Sequence, residues 1–291
     1  MMINTKRIVL FLLLGMLFCV SCNDRPMADA RDDQKSAQAV EAKDSIAETY
    51  ESDKASEPDK ASEPDKASGS DETNIVDEET EGIEQVKPTT LLYQGHASVR
   101  IVTDDGKVIY IDPFMGEGYD LSADLILMTH SHYDHTQDGL IKKKNEECKT
   151  IKWSDALKNG QYHTFDLGYV TVEAVEAGYN KNHNVSECVG FILTFPDGCK
   201  VYFSGDTSTT PSMKQLADKD LDYAFLCCDG VYNMNVEEAS ECAKLINAKH
   251  TIPYHMEPVK DKSGFDQEAA ESFEALGKII VKPGEELELV R

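Results

Sequence analysis

A chain of 291 residues with a formal net charge of −24 can hold one large domain or two small ones, and it lacks the basic surface that binds the phosphates of nucleic acid. Its 41% of hydrophobic residues are spread so unevenly that not all of the chain can be globular. At the start, Lys6 and Arg7 precede thirteen residues, Ile8 to Val20, that are apolar but for Gly15, and "SCNDRPMADARDD" then turns polar at once. Residues 1–21 therefore read as a signal peptide, too short to cross a hydrocarbon core of ~30 Å as a helix. Residues 22–87 read as a disordered acidic tether: from Asn23 to Lys87 there are 20 Asp and Glu against 8 Lys and Arg, a net of −12. Within it "ASEPDKASEPDKAS" repeats a short unit with no apolar position to stack, so it predicts a spacer and not a solenoid.

Residues 88–291 are enough for one domain with a sizeable core. "TTLLYQGHASVRIVTDDGKVIYIDPF" has short apolar runs around Asp105-Gly106, a hairpin signal, and "ADLILMTH" is a continuous apolar run of strand length ending at a cluster of histidines. The segments "TQDGLIKKKNEE" and "SDALKNG" predict short helices, "YVTVEAVEA" alternates as a strand, and "CVGFILTFPDGCKVYFSGDT" predicts a hairpin turning at Pro196-Asp197-Gly198. Helices and strands then alternate: "PSMKQLADK", "DYAFLCC", "NVEEASECAKLINA" with Asn235 as N-cap, "HTIPYH", and "DQEAAESFEALG" ending at Gly277. Two sheets with helices outside, an α/β layered fold, accommodate this order. The six cysteines of the domain sit singly in apolar runs without metal-ligand spacing, which favours buried thiols, although an exported chain permits disulfides.

Three of the eight histidines fall in "THSHYDH". His130 ends one predicted strand, Asp206 follows another and His255 a third, and in layered α/β folds that edge is where sites gather. His130 and His132 can converge on one ion, while Asp134 and His135 turn toward a second, with Asp206 as a candidate bridging carboxylate. "THSHYDH" resembles the H-x-H-x-D-H signature of the metallo-β-lactamase superfamily. "IYIDP" with Asp112, "NKNHNVSECVGFIL" with His183, "FSGDT" and "IPYH" match later features of that superfamily in order. "YQGHASVRI" is similar to the branch containing ascorbate-6-phosphate lactonase and the phospholipase D that hydrolyses N-acyl-phosphatidylethanolamine.

The resemblance implies a four-layer αββα sandwich and a metal-dependent hydrolase with two divalent ions, zinc first and manganese or iron as alternatives. His130, His132 and His183 would hold metal 1, and Asp134, His135 and His255 metal 2, with Asp206 bridging. Asp134 and His96 would be catalytic, His96 from outside the metal set, and Asp112 would orient the histidine loop. The ions would supply hydroxide at neutral pH for a small ester, lactone or phosphodiester. The rival reading is a non-hydrolytic binding lipoprotein with the same fold. His163 and His250 match no motif, and Tyr133, Tyr179 and Tyr232 read as packing residues before groove walls. "FCVSC" resembles the lipobox of bacterial lipoproteins, with Cys19 where leucine is usual. A lipidated Cys22 would tether the enzyme to the membrane outside the cytoplasm.

Overall fold

The computed structural model describes residues 87–256 and 264–291. The expected signal peptide, Cys22 and the tether up to residue 86 lie outside the described residues. The strands of the first half are β1 (Thr89–Gly95), β2 (Ser98–Val102), β3 (Val108–Ile111), β4 (Ala123–Met128) and β5 (Lys144–Lys152). After α1 (Trp153–Ala156) come the short β6 (Leu157–Lys158), β7 (Gln161–Tyr162) and β8 (Thr164–Asp166), then β9 (Thr171–Glu176), β10 (Val189–Thr194), β11 (Lys200–Phe203) and β12 (Tyr223–Cys227). The chain continues through α2 (Val236–Ile246), β13 (His250–Tyr254), α3 (Gln267–Ser272) and β14 (Glu286–Leu289).

Two six-stranded sheets result, in the orders β14-β1-β2-β3-β4-β5 and β13-β12-β11-β10-β9-β8. β2 pairs antiparallel with β1 and β3, while β3, β4 and β5 run parallel. In the second sheet β8 to β11 are antiparallel neighbours, and β11, β12 and β13 run parallel. Parallel neighbours end at the same edge, so the chain leaves β3 and β4 of one sheet, and β11, β12 and β13 of the other, each at a common edge. The function is built at those ends.

One apolar core joins the sheets, with Leu125 and Leu127 of β4 packed in the same cluster as Phe191, Phe203 and Phe225. Ile126 and Met128 point the other way, into a smaller cluster with Tyr110, Tyr119 and Ile141. The continuous apolar run of β4 thus reflects burial on both faces. On the second sheet α2 buries Ala239, Cys242, Ala243 and Ile246, a spacing of one helical face, and Asn235 caps it by accepting the Glu238 N–H at 2.8 Å. Glu238 does not close a capping box; its carboxylate accepts from Thr209 N and Oγ1 instead.

Several expected helices are corrected. "TQDGLIKKKNEE" forms a single 3-10 turn at Asp138–Leu140 and then β5, whose exposed, charged residues are those of a sheet edge. "PSMKQLADK" is a 3-10 helix, Met213–Lys219. α3 stops at Ser272, short of Gly277, because Phe273 turns to an extended backbone and is fully buried. The cysteines Cys148, Cys188, Cys199, Cys227, Cys228 and Cys242 are free thiols, all buried but Cys148. Among the described residues no helix is long and apolar enough to cross a membrane.

Candidate functional site

The sheet edge gathers every residue singled out for metal. His130 follows β4, Asp206 follows β11 and His255 follows β13, while His132, Asp134 and His135 come from the loop after His130, whose 3-10 turn spans Tyr133–His135. His183 enters from the loop between β9 and β10. His130, His135, His183, Asp206 and His255 are buried and His132 is exposed.

Asp206 is the centre of this arrangement. Its Oδ1 lies 3.4 Å from His135 Nε2 and 3.2 Å from His255 Nε2, and its Oδ2 lies 3.2 Å from His183 Nε2 and 4.0 Å from His130 Nε2. Each oxygen therefore faces a different pair of rings. Among the described residues three groups place ligand atoms within 4.8 Å of one another: His130, His132 and His183; His130, His135 and Asp206; and His96, Asp134, His135 and His255.

The hydrogen bonds behind the rings fix which nitrogen carries the proton. Thr129 Oγ1 donates to Asp112 Oδ2 at 2.6 Å, so it can only accept from His130 Nδ1 at 3.1 Å. His135 Nδ1 donates to Asp112 Oδ2 at 2.9 Å. Asn180 Oδ1 accepts the backbone N–H groups of Asn182 and His183, which identifies it as oxygen, and it accepts from His183 Nδ1 at 3.0 Å as well. In their neutral forms these three rings turn Nε2 lone pairs on the Asp206 carboxylate. Acceptors facing acceptors in a buried site repel unless a cation or proton lies between them. The Nε2 atoms of His130, His135 and His255 and Asp206 Oδ1 are buried without a hydrogen-bond partner, as orphaned metal ligands are. Imidazole nitrogen with carboxylate oxygen is a donor set that suits zinc and similar divalent ions.

The charges of the cluster carry the same message. Burial opposes the ionised form of Asp206, yet His255 and His135 outweigh it and hold the carboxyl far below its usual range. Burial likewise opposes a charged His255, but Asp206 and then Asp229 raise it to about 9. His130 is pushed well down, by burial first and then by His135. The cluster can neither shed its negative charge nor charge all its rings.

Three residues of the site, His96, Asp112 and His255, have left-handed backbones with φ of 53°, 44° and 50°. Such conformations are costly for non-glycine residues and persist where surrounding structure enforces them. Here the His255 N–H donates to His96 O at 2.9 Å and the Asp112 carboxylate accepts the Thr129 N–H at 2.8 Å, each bond tying one element to another. His96, expected outside the metal set, has its Nε2 3.1 Å from Asp134 Oδ2 and its ring centroid 3.8 Å from that of His255. Burial, then the charge of His255, lowers its pKa to about 4.

Residues that sequence reasoning passed over support the centre. Asp229, after β12, faces His255 Nδ1 at 3.5 Å, and Asn233 Nδ2 donates to both Asp206 Oδ2 and Asp229 Oδ2, at 2.9 and 2.7 Å. The signal for Asp229 was its position: like Asp112 and Asp206 it ends an apolar strand. His250 sits at the opposite end of β13 from His255, stacked on Tyr223, and His163 lies between β7 and β8. The structure brings neither into any of the ligand groups. A cavity of about 520 Å³ opens over the cluster, walled by His96, His132, Asp134, Asn182 and Tyr232.

Residues 90–255 match the family model of the Beta-lactamase superfamily domain. The chain is 33% identical over 227 residues to a UPF0173 metal-dependent hydrolase of Geobacillus sp., an alignment covering 68% of this chain and 98% of that protein. It is 30% identical over 225 residues to another of Anoxybacillus flavithermus, covering 68% and 99%. Among solved structures it resembles a protein assigned as a metal-dependent hydrolase from Parabacteroides distasonis, with a TM-score of 0.56 and 27% identity over 68% of this chain and 94% of that one. The fold also matches Igni18, a metallo hydrolase of Ignicoccus hospitalis, with a TM-score of 0.55 and 21% identity over 70% and 100%.

Proposed function

The chain belongs to the beta-lactamase superfamily, among its UPF0173 metal-dependent hydrolases, and on that premise we propose that it hydrolyses a small ester, lactone or phosphodiester at a centre of two divalent ions. The convergence of the Nε2 atoms of His130, His135, His183 and His255 on the two oxygens of Asp206 carries this reading. His130, His132 and His183 would hold one ion, Asp134, His135 and His255 the other, and Asp206 would be shared. Zinc is the first choice of metal, with manganese or iron as alternatives.

Bound there, divalent ions would supply a hydroxide nucleophile near neutral pH, by lowering the pKa of water toward ~7, and stabilisation of charge on the substrate oxygen. The protein supplies the geometry. Thr129, Asp112 and Asn180 lock the imidazoles with Nδ1 protonated, so that Nε2 is the donor atom toward the centre. His96 stands on the cavity wall beside Asp134, neutral at pH 7, and can accept or pass a proton there.

Within the superfamily the resemblance of "YQGHASVRI" points to the branch of ascorbate-6-phosphate lactonase and the N-acyl-phosphatidylethanolamine phospholipase D. The N-terminal layout supports a lipoprotein anchored through Cys22 and working outside the cytoplasm. Metal analysis of the purified chain after growth with zinc, manganese or iron, followed by a panel of lactone, ester and phosphodiester substrates, tests the reading. Close to two ions per chain and turnover on one class are expected; less than one ion per folded chain overturns it.

A further inference from the structure

The loops around the centre expose apolar side chains in an unusual concentration. Of the ten large hydrophobic residues exposed among the described residues, six, Tyr133, Leu140, Tyr179, Val185, Val231 and Tyr232, come from the three loops that carry or border the candidate ligands, so their placement is not a random scatter. Tyr133 is 72% exposed although it stands between His132 and Asp134. Its ring meets Phe114 with centroids 6.0 Å apart, and Phe114 in turn meets His96 at 5.2 Å, which makes one aromatic wall beside the catalytic edge.

Val231 and Tyr232 are 49% and 57% exposed, and Tyr232 lines the cavity over the cluster. They are not there for want of order. Asp229 Oδ1 accepts the N–H groups of Val231, Tyr232 and Asn233 at 2.7, 2.6 and 3.2 Å, and Tyr232 O accepts from Asn182 Nδ2 at 3.0 Å. The same Asp229 supports His255, so the turn that holds these side chains out in water is fixed to the metal centre itself. Of the described residues lining the cavity none is lysine or arginine, while Lys181 lines an adjoining cavity that shares Asn182 and His183.

We propose that the substrate carries an apolar group, aromatic or branched, next to its reacting carbonyl or phosphoryl centre, and that this group is held against the Tyr133–Phe114 wall and the Val231–Tyr232 turn. The inference rests on the metal-centre reading above and adds to it the chemical class of the group beside the scissile bond. Burying an apolar group on a preformed wall supplies binding energy that positions the reacting group beside it. A carboxylate set against the same apolar side chains would lose hydration without return.

Hydroxamic acids test this, because they share one metal-binding head group and differ only in what they present to the walls. The full chain, loaded with cobalt, is titrated with acetohydroxamic, benzohydroxamic and 4-carboxybenzohydroxamic acids, and binding is read from the cobalt absorption and by calorimetry. Benzohydroxamic acid is expected to bind at least about tenfold more tightly than acetohydroxamic acid, and the carboxylated analogue more weakly than benzohydroxamic acid. In a Val231→Ser, Tyr232→Ser double variant with unchanged cobalt content the first gap should shrink to less than about threefold. Equal affinity of all three for the wild-type chain, with cobalt bound, overturns the apolar-wall proposal and leaves the metal centre standing. Failure to bind cobalt, or failure of every hydroxamate to perturb its spectrum, overturns the metal-centre reading and this proposal with it.

Discussion

Asp206 concentrates the consequences of single residues. Because its two oxygens face two different pairs of histidines, Asp206→Ala should lose at least one ion, as the shared carboxylate no longer offsets repulsion between the cations. His132→Ala should chiefly empty the first position and His255→Ala the second, while His163→Ala and His250→Ala leave the metal content as it was; elemental analysis of each folded variant reads the result. Thr129 is a finer test. Its hydroxyl relays Asp112 to His130, so Thr129→Val should leave the fold intact yet weaken metal affinity by about 10–100-fold in competition with a chelator. The convergence of these residues was legible in advance, because "HSHYDH" packs candidate ligands into six consecutive positions and Asp206 and His255 follow apolar strands. Thr129, Asn180 and Asn233 were not: Thr129 and Asn180 hold the rings of near neighbours, His130 and His183, and Asn233 reaches Asp206 across the fold, through hydrogen bonds that no residue pattern announces. Nor does any side-chain pattern announce the left-handed backbones of His96, Asp112 and His255.

Strands and helices were legible in proportion to their burial. β4, β10, β12 and β13 are apolar runs buried in the sheets and stand where the sequence predicts them. β5 is an edge strand of mostly exposed charged residues, which hides its extended form behind a helix-like composition. β14 is only four residues long and gains its identity by pairing with β1, a partner almost two hundred positions away. Asp124 shows what a single carboxylate contributes to such elements. It accepts from Val108 N at 2.9 Å, Asn145 Nδ2 at 2.9 Å and Lys107 Nζ at 3.2 Å, linking the starts of β3, β4 and β5. Burial opposes its charge, but these donors prevail and hold its pKa below the usual carboxylate value of 3.8. A lowered folded pKa contributes stability that is present above the unfolded value and lost as pH falls through the folded one. Asp124→Asn should therefore cost about 1–2 kcal/mol near pH 7 in denaturant unfolding, and the gap to wild type should narrow progressively below pH 3.8. A gap independent of pH would assign the loss to packing.

At the scale of the whole molecule the chemistry and the expected address are separable. β1 begins at Thr89, which is buried, and its sheet partners β2 and β14 lie later in the chain, so the pairing of this strand is made within residues 89–289. A chain beginning at Pro88 should fold and hold its metal as the longer protein does, because the acidic stretch removed brings few apolar groups to a core; an insoluble product from Pro88 beside a folded one from Asn23 would refute this. The address, by contrast, is expected to depend on one atom. If the Cys22 thiol is acylated, the protein should sediment with membranes and resist a salt wash, since several acyl chains anchor firmly where electrostatic attraction would be screened. Cys22→Ser removes the nucleophile, so the protein should either appear in the soluble extracytoplasmic fraction or keep its signal peptide, and its hydrolytic rate per chain should be that of the wild type. Wild-type protein recovered without lipid from the soluble extracytoplasmic fraction would show that the N-terminus directs export alone, and that the acidic spacer is not a membrane tether.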